Sequence, residues 1–190
     1  NSEFFCTVTL PMPGKHYIYD ALAAASAAFV NGISAESISL GLSSFEGSAR
    51  RMDFQGKLPF GASVYTDYAH HPTEIAATLE CASNMCSGKL ITVFQPHTYS
   101  RTQAFFDDFA SVLSKCDEVI LTHIYSARET NIYGVSPSNL SDKINELGGN
   151  CRFMPDFLDI AAYINGHAKA DDMVLIVGAG DVVSLVKLMF

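Results

Sequence analysis

Two kinds of hydrophobic pattern alternate along the chain. Short, almost continuously apolar runs stand at Leu90–Phe94, broken only by Thr92, at 119–121 and at Met173–Val177. Their length suits strands buried on both faces. Between them run longer stretches with one apolar face at helical spacing. Over 16–30, Ile18, Leu22, Ala25 and Phe29 share a face, and Asn31-Gly32 ends the helix. Ser34 is an expected N-cap for a second helix that buries Ile38 and Leu42. Pro72 suits the first position of a helix reaching about 86, with Gly88 beyond it. Further helices are expected near 103–114, from Ser136-Pro137 to Gly148-Gly149, over 157–164 and over 182–189. Weaker strands are expected at 4–10, closed by Pro11, Pro13 and Gly14, and at 51–54, 63–66 and 151–154.

Strands alternating with helices imply βαβ units and a largely parallel sheet. Right-handed crossovers then give an open, doubly wound α/β sheet with helices on both faces. The rhythm changes at Gly47, so a boundary is expected there, with units 1–47 and 48–190. One strand and two helices make a poor core, which marks the first unit as the tail of another domain. There is no internal repeat and no low-complexity linker.

Composition narrows the class. Apolar residues make up 48% of the 190, charged residues 17%, and mean hydropathy is +0.17. Such a chain buries a core, which excludes a disordered tail, a collagen and a disulfide-dense mini-protein. With 20 acidic and 12 basic residues, the net charge is -8. A general nucleic-acid face needs a basic stripe and is not expected. The five cysteines, Cys6, Cys81, Cys86, Cys116 and Cys151, are scattered without CxxC spacing. They read as buried or free thiols of a reducing cytosol. No apolar stretch has the length of a membrane span. Asn1-Ser2-Glu3-Phe4 carries no basic leader and no initiator Met. An excised piece of a cytoplasmic protein is expected, with no membrane partner.

In an open α/β sheet, ligands bind beyond the carboxyl ends of the strands. Three strand exits carry dense polar clusters: 67–74 (DYAHHPTE), 95–101 (QPHTYSR) and 123–129 (HIYSARE). All three are expected on one edge, where they suit a polar small molecule. His70 and His71 are adjacent on an extended segment and point apart, without HExxH or CxxC spacing, so no metal site is expected. There is no G-x-S-x-G elbow, and Cys81, Cys86 and Cys116 fall in or at the ends of helical runs. Gly178-Ala179-Gly180-Asp181 resembles half a dinucleotide fingerprint, but Val183 replaces the third small residue and only seven residues follow it. It reads as a tight strand-to-helix turn. Gly14-Lys15, Gly56-Lys57 and Gly88-Lys89 lack the remainder of a phosphate loop.

Taken in order, these motifs resemble the Mur ligase family. Pro13-Gly14-Lys15-His16 with its Ala-rich helix is similar to P-G-x-H-N-x-x-N-A-x-A-A, and 45–51 (FEGSARR) to F-x-G-x-x-R-R. Residues 67–74 are similar to D-Y-x-H-H-P-T-E, and 94–102 (FQPHTYSRT) to F-Q-P-H-x-Y-[ST]-R-T. The runs 124–129 and 178–181 complete the set, which covers essentially the whole chain.

The resemblance implies an ATP-dependent amide ligase of peptidoglycan synthesis. Its small-molecule substrates would be L-alanine, UDP-N-acetylmuramate and ATP, with Mg2+ in the full-length enzyme. The chain would hold the end of a central ATPase domain and a Rossmann-like C-terminal domain. That domain would bind the amino acid and close over ATP, with the missing N-terminal and central domains as its partners. The resemblance assigns Arg51 and Asp67 to ATP, Asp67 through the ribose hydroxyls, and places His16 and Asp20 in the ATP-side segment. Tyr68, His70 and Arg101 would surround the amino acid: Arg101 gripping its α-carboxylate, His70 orienting or deprotonating its ammonium. His71 and His97 would position the loops. Two departures are visible. Tyr17 and Asp20 stand where the family has Asn, and Thr66 replaces the first acid of D-D-Y. A sibling ligase that recycles a muropeptide shares much of the pattern. A stand-alone, non-catalytic α/β ligand-binding domain is the reading from a different class. The reading frame upstream of Asn1 separates these, because a G-x-x-G-K-[ST] motif there belongs to a ligase. A dehydrogenase is disfavoured by the residues around Gly178.

Overall fold

The computed structural model describes residues 4–190. They form two compact units that divide between Ser48 and Ala49.

The first unit holds α1 (Lys15–Val30) and α2 (Ala35–Ser43). Asn31 caps α1, Gly32 turns the chain at φ 80°, and the Ser34 side chain accepts from Ser37 N–H to start α2. Ile38 is its only described residue that is buried. The expected face of α1 is open: Ile18, Leu22 and Phe29 are 53%, 58% and 59% exposed. The strand expected at 4–10 does not form. A strand needs a neighbour to complete its ladder, and this unit offers none. Instead the Thr7 carbonyl accepts from Ser39 Oγ at 2.6 Å, and Thr9 N–H donates to Ser43 Oγ at 3.3 Å.

The second unit is the expected α/β sheet. Its strands are β1 (Asp53–Lys57), β2 (Ser63–Asp67), β3 (Leu90–Phe94), β4 (Glu118–Leu121), β5 (Cys151–Phe153) and β6 (Met173–Val177). They lie in the order β1-β2-β6-β3-β4-β5, and only the β1–β2 pair is antiparallel. The helices are α3 (Pro72–Met85), α4 (Tyr99–Ala104), α5 (Phe106–Leu113), α6 (Pro137–Glu146), α7 (Phe157–His167) and α8 (Val186–Met189). Side chains alternate along each central strand, so two cores form. Met173, Leu175 and Val177 meet Ile75, Phe109 and Leu140 of α3, α5 and α6 on one face. Val174 and Ile176 meet Ile160 and Ile164 of α7, with Leu185 and Met189, on the other.

Three boundaries differ from the sequence reading. β1 begins at Asp53, leaving Arg51 on the preceding turn. The helix expected near 103–114 begins at Tyr99 and breaks at Phe105 into α4 and α5, because Thr98 serves as N-cap, its hydroxyl accepting from Arg101 N–H. The closing helix is a 3-10 turn (Asp181–Leu185) followed by one turn of α8.

At the amino edge of the parallel strands, the Glu118 carboxylate is 1% exposed. It takes Lys89 Nζ, Arg152 Nη2 at 3.1 Å and Tyr163 Oη at 2.6 Å. A cavity of about 270 Å3 opens at this edge between α3 and the end of α5, lined by Leu79, Glu80, Leu90, Val112, Lys115 and Cys116. Burial pushes the Cys116 and Cys151 thiols up to about 11, which suits structural rather than nucleophilic cysteines.

Candidate functional site

The parallel strands bring all three polar clusters to one edge, as the alternation of elements predicted. Backbone strain concentrates there too. The described non-glycine residues with positive φ are Arg50, Met52, Thr98, Ala127 and Arg128. All five lie in loops at the carboxyl ends of β2, β3 and β4 or beside them, since Asp53 pairs with Thr66. Strain of this kind persists only where the surroundings over-determine it, and it gathers at functional sites.

Asp67 closes β2 and is 4% exposed. Its Oδ2 accepts from Met52 N–H at 2.9 Å; its Oδ1 accepts from Ala69 N–H at 2.8 Å and Thr78 Oγ1 at 3.2 Å. The carboxylate therefore braces the 50–52 turn against β2 and α3, and three of its roughly four acceptor positions are used. Arg51 is exposed on that braced turn; against burial, which raises it, the Glu74 carboxyl is held below the usual range by the His70 N–H and ring and then by the Arg51 charge.

Beyond Asp67 the rings form a relay. Tyr68 lies edge-on to His70 with centroids 5.5 Å apart, His70 is 5.8 Å from His97, and His97 stacks on Tyr125 at 5.5 Å. Hydrogen-bond partners assign both protons. His70 Nδ1 is 3.0 Å from the Tyr68 carbonyl, which can only accept, so in the neutral ring the proton sits on Nδ1 and Nε2 keeps its lone pair. His97 Nδ1 is 3.1 Å from Arg101 Nη1, which can only donate, so His97 is neutral with its proton on Nε2. Burial first, then the charges of Arg101 and His70, lower the His97 pKa, in accord with that assignment. The neighbouring histidines thus carry opposite tautomers, one presenting an acceptor and the other a donor.

The expected residues Tyr68, His70 and Arg101 are joined through His97. His71 turns away, capping α3 by accepting from Thr73 N–H and packing its ring on Phe105. His16 and Asp20 stand one helical turn apart on α1 of the first unit, with His16 against the Tyr17 ring.

Sequence reasoning passed over three residues. Arg50 donates to the Gly178 and Gly180 carbonyls and lies 4.6 Å above the Tyr68 ring. The tandem Arg50-Arg51 was its only signal. Gln95 and Asp181 meet across the sheet edge at 2.7 Å. The Gly178–Asp181 turn itself is as expected.

Glu129 fastens the β4 loop to α4. It accepts from Ser100 N–H at 2.8 Å and Ser100 Oγ at 2.6 Å, and these bonds hold its carboxyl below the usual range. Glu129→Ala is expected to speed amide exchange at Ser100 and over 126–134 while leaving the β3 and β6 amides protected. Hydrogen exchange read by mass spectrometry checks this, and unchanged exchange at Ser100 would contradict it.

The model of the family described as "Mur ligase, glutamate ligase domain" matches residues 50–180. The UDP-N-acetylmuramate--L-alanine ligase of Clostridium novyi is 47% identical over 182 residues, covering 96% of this chain and 40% of that protein. Its namesake from Caldicellulosiruptor saccharolyticus is 41% identical over 191 residues, covering 100% and 42%. The chain thus spans about two fifths of the length of these relatives. Among solved structures, the UDP-N-acetylmuramate-alanine ligase of Thermotoga maritima superposes with a TM-score of 0.79 at 26% identity, covering 96% of this chain and 38% of that one. A murein peptide ligase from Psychrobacter arcticus gives 0.68 at 25% identity, covering 96% and 38%.

Proposed function

The chain belongs to the Mur ligase family, and from that premise we propose that it is the C-terminal part of an ATP-dependent ligase joining L-alanine to UDP-N-acetylmuramate. In this reading a carboxylate is activated by ATP as an acyl phosphate and then attacked by the amino acid's amine. The chain binds the amino acid and closes over ATP, in the cytoplasm. The rest of the enzyme supplies the UDP-sugar site and the phosphate loop.

The observation that carries the reading is the cluster of Arg101, His97 and His70. Arg101 keeps free donors after bonding His97, enough to hold an α-carboxylate through its planar fork. His70 Nε2 keeps a lone pair that suits an ammonium proton. Tyr68 walls the pocket. Arg51 takes the ATP role, with Asp67 holding its turn, and His16 and Asp20 are assigned to ATP from the first unit. Asp67 serves the ribose only through its remaining acceptor position. Mg2+ would neutralise phosphate charge. Its ligands are assigned mostly to the rest of the enzyme; among the described residues no group of three or more His, Cys, Asp or Glu is placed to hold a metal ion. Among the same residues no helix is long and apolar enough to cross a membrane.

The test uses the full-length protein with UDP-N-acetylmuramate and ATP, following ADP release. L-alanine is offered in one arm and a muropeptide in another. Turnover with L-alanine alone is expected. Turnover with the peptide alone would move the assignment to a recycling ligase, and silence in both would favour a binding domain.

A further inference from the structure

β6 lies between β2 and β3 in the sheet, yet the chain leaves β6 and β3 toward opposite faces. After β3 it reaches α5, which packs with α3 and α6; after β6 it reaches Leu185 and Met189, which pack with α7. Open sheets place ligands where connections part in this way. One side chain spans the gap. Gln95 follows β3 directly and is 0% exposed.

Its partners determine how its amide lies. Val182 N–H can only donate and stands 3.1 Å from Oε1, so the atom 2.7 Å from Asp181 Oδ1 is the NH2. The same NH2 is 3.1 Å from His123 Nε2. That nitrogen must accept, which puts the His123 proton on Nδ1, 3.4 Å from the Pro155 carbonyl. A single amide thus ties together the loops after β3, β4 and β6. The space is exacting. A Cβ at Gly180 would stand 2.6 Å from Tyr125 Cγ and would overlap Gln95 Oε1. Two of the tied loops carry the site: His97 and Arg101 on one, and Tyr125 and Glu129, which hold His97 and Ser100, on the other.

We propose that Gln95 is a positioning residue. It touches no substrate; it clamps three exit loops so that His97 and Arg101 stand where the amino acid needs them. The proposal rests on the reading of these loops as a ligase's amino-acid site. The charged and titratable groups around the amide are Asp181 and His123, which bond to it, Arg50 on the Gly180 carbonyl, and Tyr125 beside Gly180.

Three variants of the full-length protein test it. Gln95→Leu removes all three hydrogen bonds at similar volume. The kcat/KM for the amino acid should fall by about 10- to 100-fold, while KM for ATP changes by less than about threefold. Gln95→Glu keeps an acceptor for Val182 N–H but sets a carboxylate against Asp181. Once protonated, the introduced carboxyl can donate to Asp181 as the amide did. Its activity relative to wild type should therefore rise as pH is lowered from about 8 to about 6. A flat ratio, or a Gln95→Leu enzyme within about threefold of wild type, overturns the proposal. Should Gln95→Leu fail to fold, Asp181→Ala removes one acceptor at a half-exposed position and should raise the amino-acid KM in the same direction; an unchanged KM overturns the clamp. Nitrogen-15 spectra of the full-length protein, labelled at histidine, judge the clamp apart from the reaction. His123 should show the Nδ1–H tautomer in wild type and a tautomer mixture in Gln95→Leu. Wild-type protein silent toward every amino acid would defeat the ligase reading alone, whereas an Nε2–H tautomer at His123 would defeat the clamp alone.

Discussion

Arg101→Ala in the full-length ligase is expected to raise the amino-acid KM by about 30- to 150-fold and to leave the ATP KM nearly unchanged. The reasoning starts from geometry. Arg101 sits on the first turn of α4, and Nη1 is occupied by His97 at 3.1 Å. The rest of the fork suits a carboxylate bidentately. Removing one partner of a desolvated charge pair costs about 2 to 5 kcal/mol. Arg101 is only half-buried, which favours the lower part of that range, about 2 to 3 kcal/mol, and hence the stated factor. Arg101→Lys should recover part of the loss, keeping the charge but not the fork. An independent signature accompanies the kinetics. The Arg101 charge is one cause of the lowered His97 pKa. Its removal should let His97 titrate at higher pH, seen in a histidine NMR titration. Equal rises in both KM values, with an unmoved His97, would reject the pocket.

The contrast between what was and was not legible has a physical basis. Met173–Val177 is apolar throughout, and Leu90–Phe94 at all positions but Thr92, because each feeds two cores, so the parallel sheet and its ligand edge followed from the pattern. Segment 4–10 carries strand-like residues, but strand formation needs a partner that composition does not reveal. The α4 start was hidden because Thr98 caps it with φ 64°, a conformation that Thr rarely adopts. The polar clusters that hold Tyr68, His70 and Arg101 were legible because they follow strands; it was the family resemblance that singled out these three within them. The pairing of Gln95 with Asp181 was not legible, because they are 86 residues apart and meet only through sheet order. Arg50 and Arg51 are adjacent and chemically alike; only the fold shows that Arg50 is spent on the Gly178 and Gly180 carbonyls.

The second large effect lies at the opposite edge of the sheet and concerns stability. Glu118 opens β4 beneath both cores, and its carboxylate gathers Lys89, Arg152 and Tyr163. Arg152 also covers the Tyr163 ring at 4.4 Å. Glu118→Ala leaves two cations and a hydroxyl facing a void. Breaking a buried pair costs about 3 to 5 kcal/mol, but Lys89 and Arg152 are 43% and 41% exposed and regain water, so about 2 to 3 kcal/mol is expected. That is a large part of a domain's usual stability. Burial alone would raise the Glu118 pKa; the bonds from Lys89 and Tyr163 and the charges of Lys89 and Arg152 outweigh it and hold the carboxyl below the usual range. A depressed folded pKa stabilises above the unfolded value, about 4.3, and the gain is lost as pH falls through the folded value. The gap between wild type and Glu118→Ala in urea unfolding should therefore be steady from about pH 7 to about pH 5 and narrow below about pH 4. Glu118→Gln, which keeps the shape and the Tyr163 bond, should show a smaller gap with the same narrowing. A gap that stays constant at acid pH would mean that packing, not the carboxylate's charge, holds β3, β4 and β5 together at this edge.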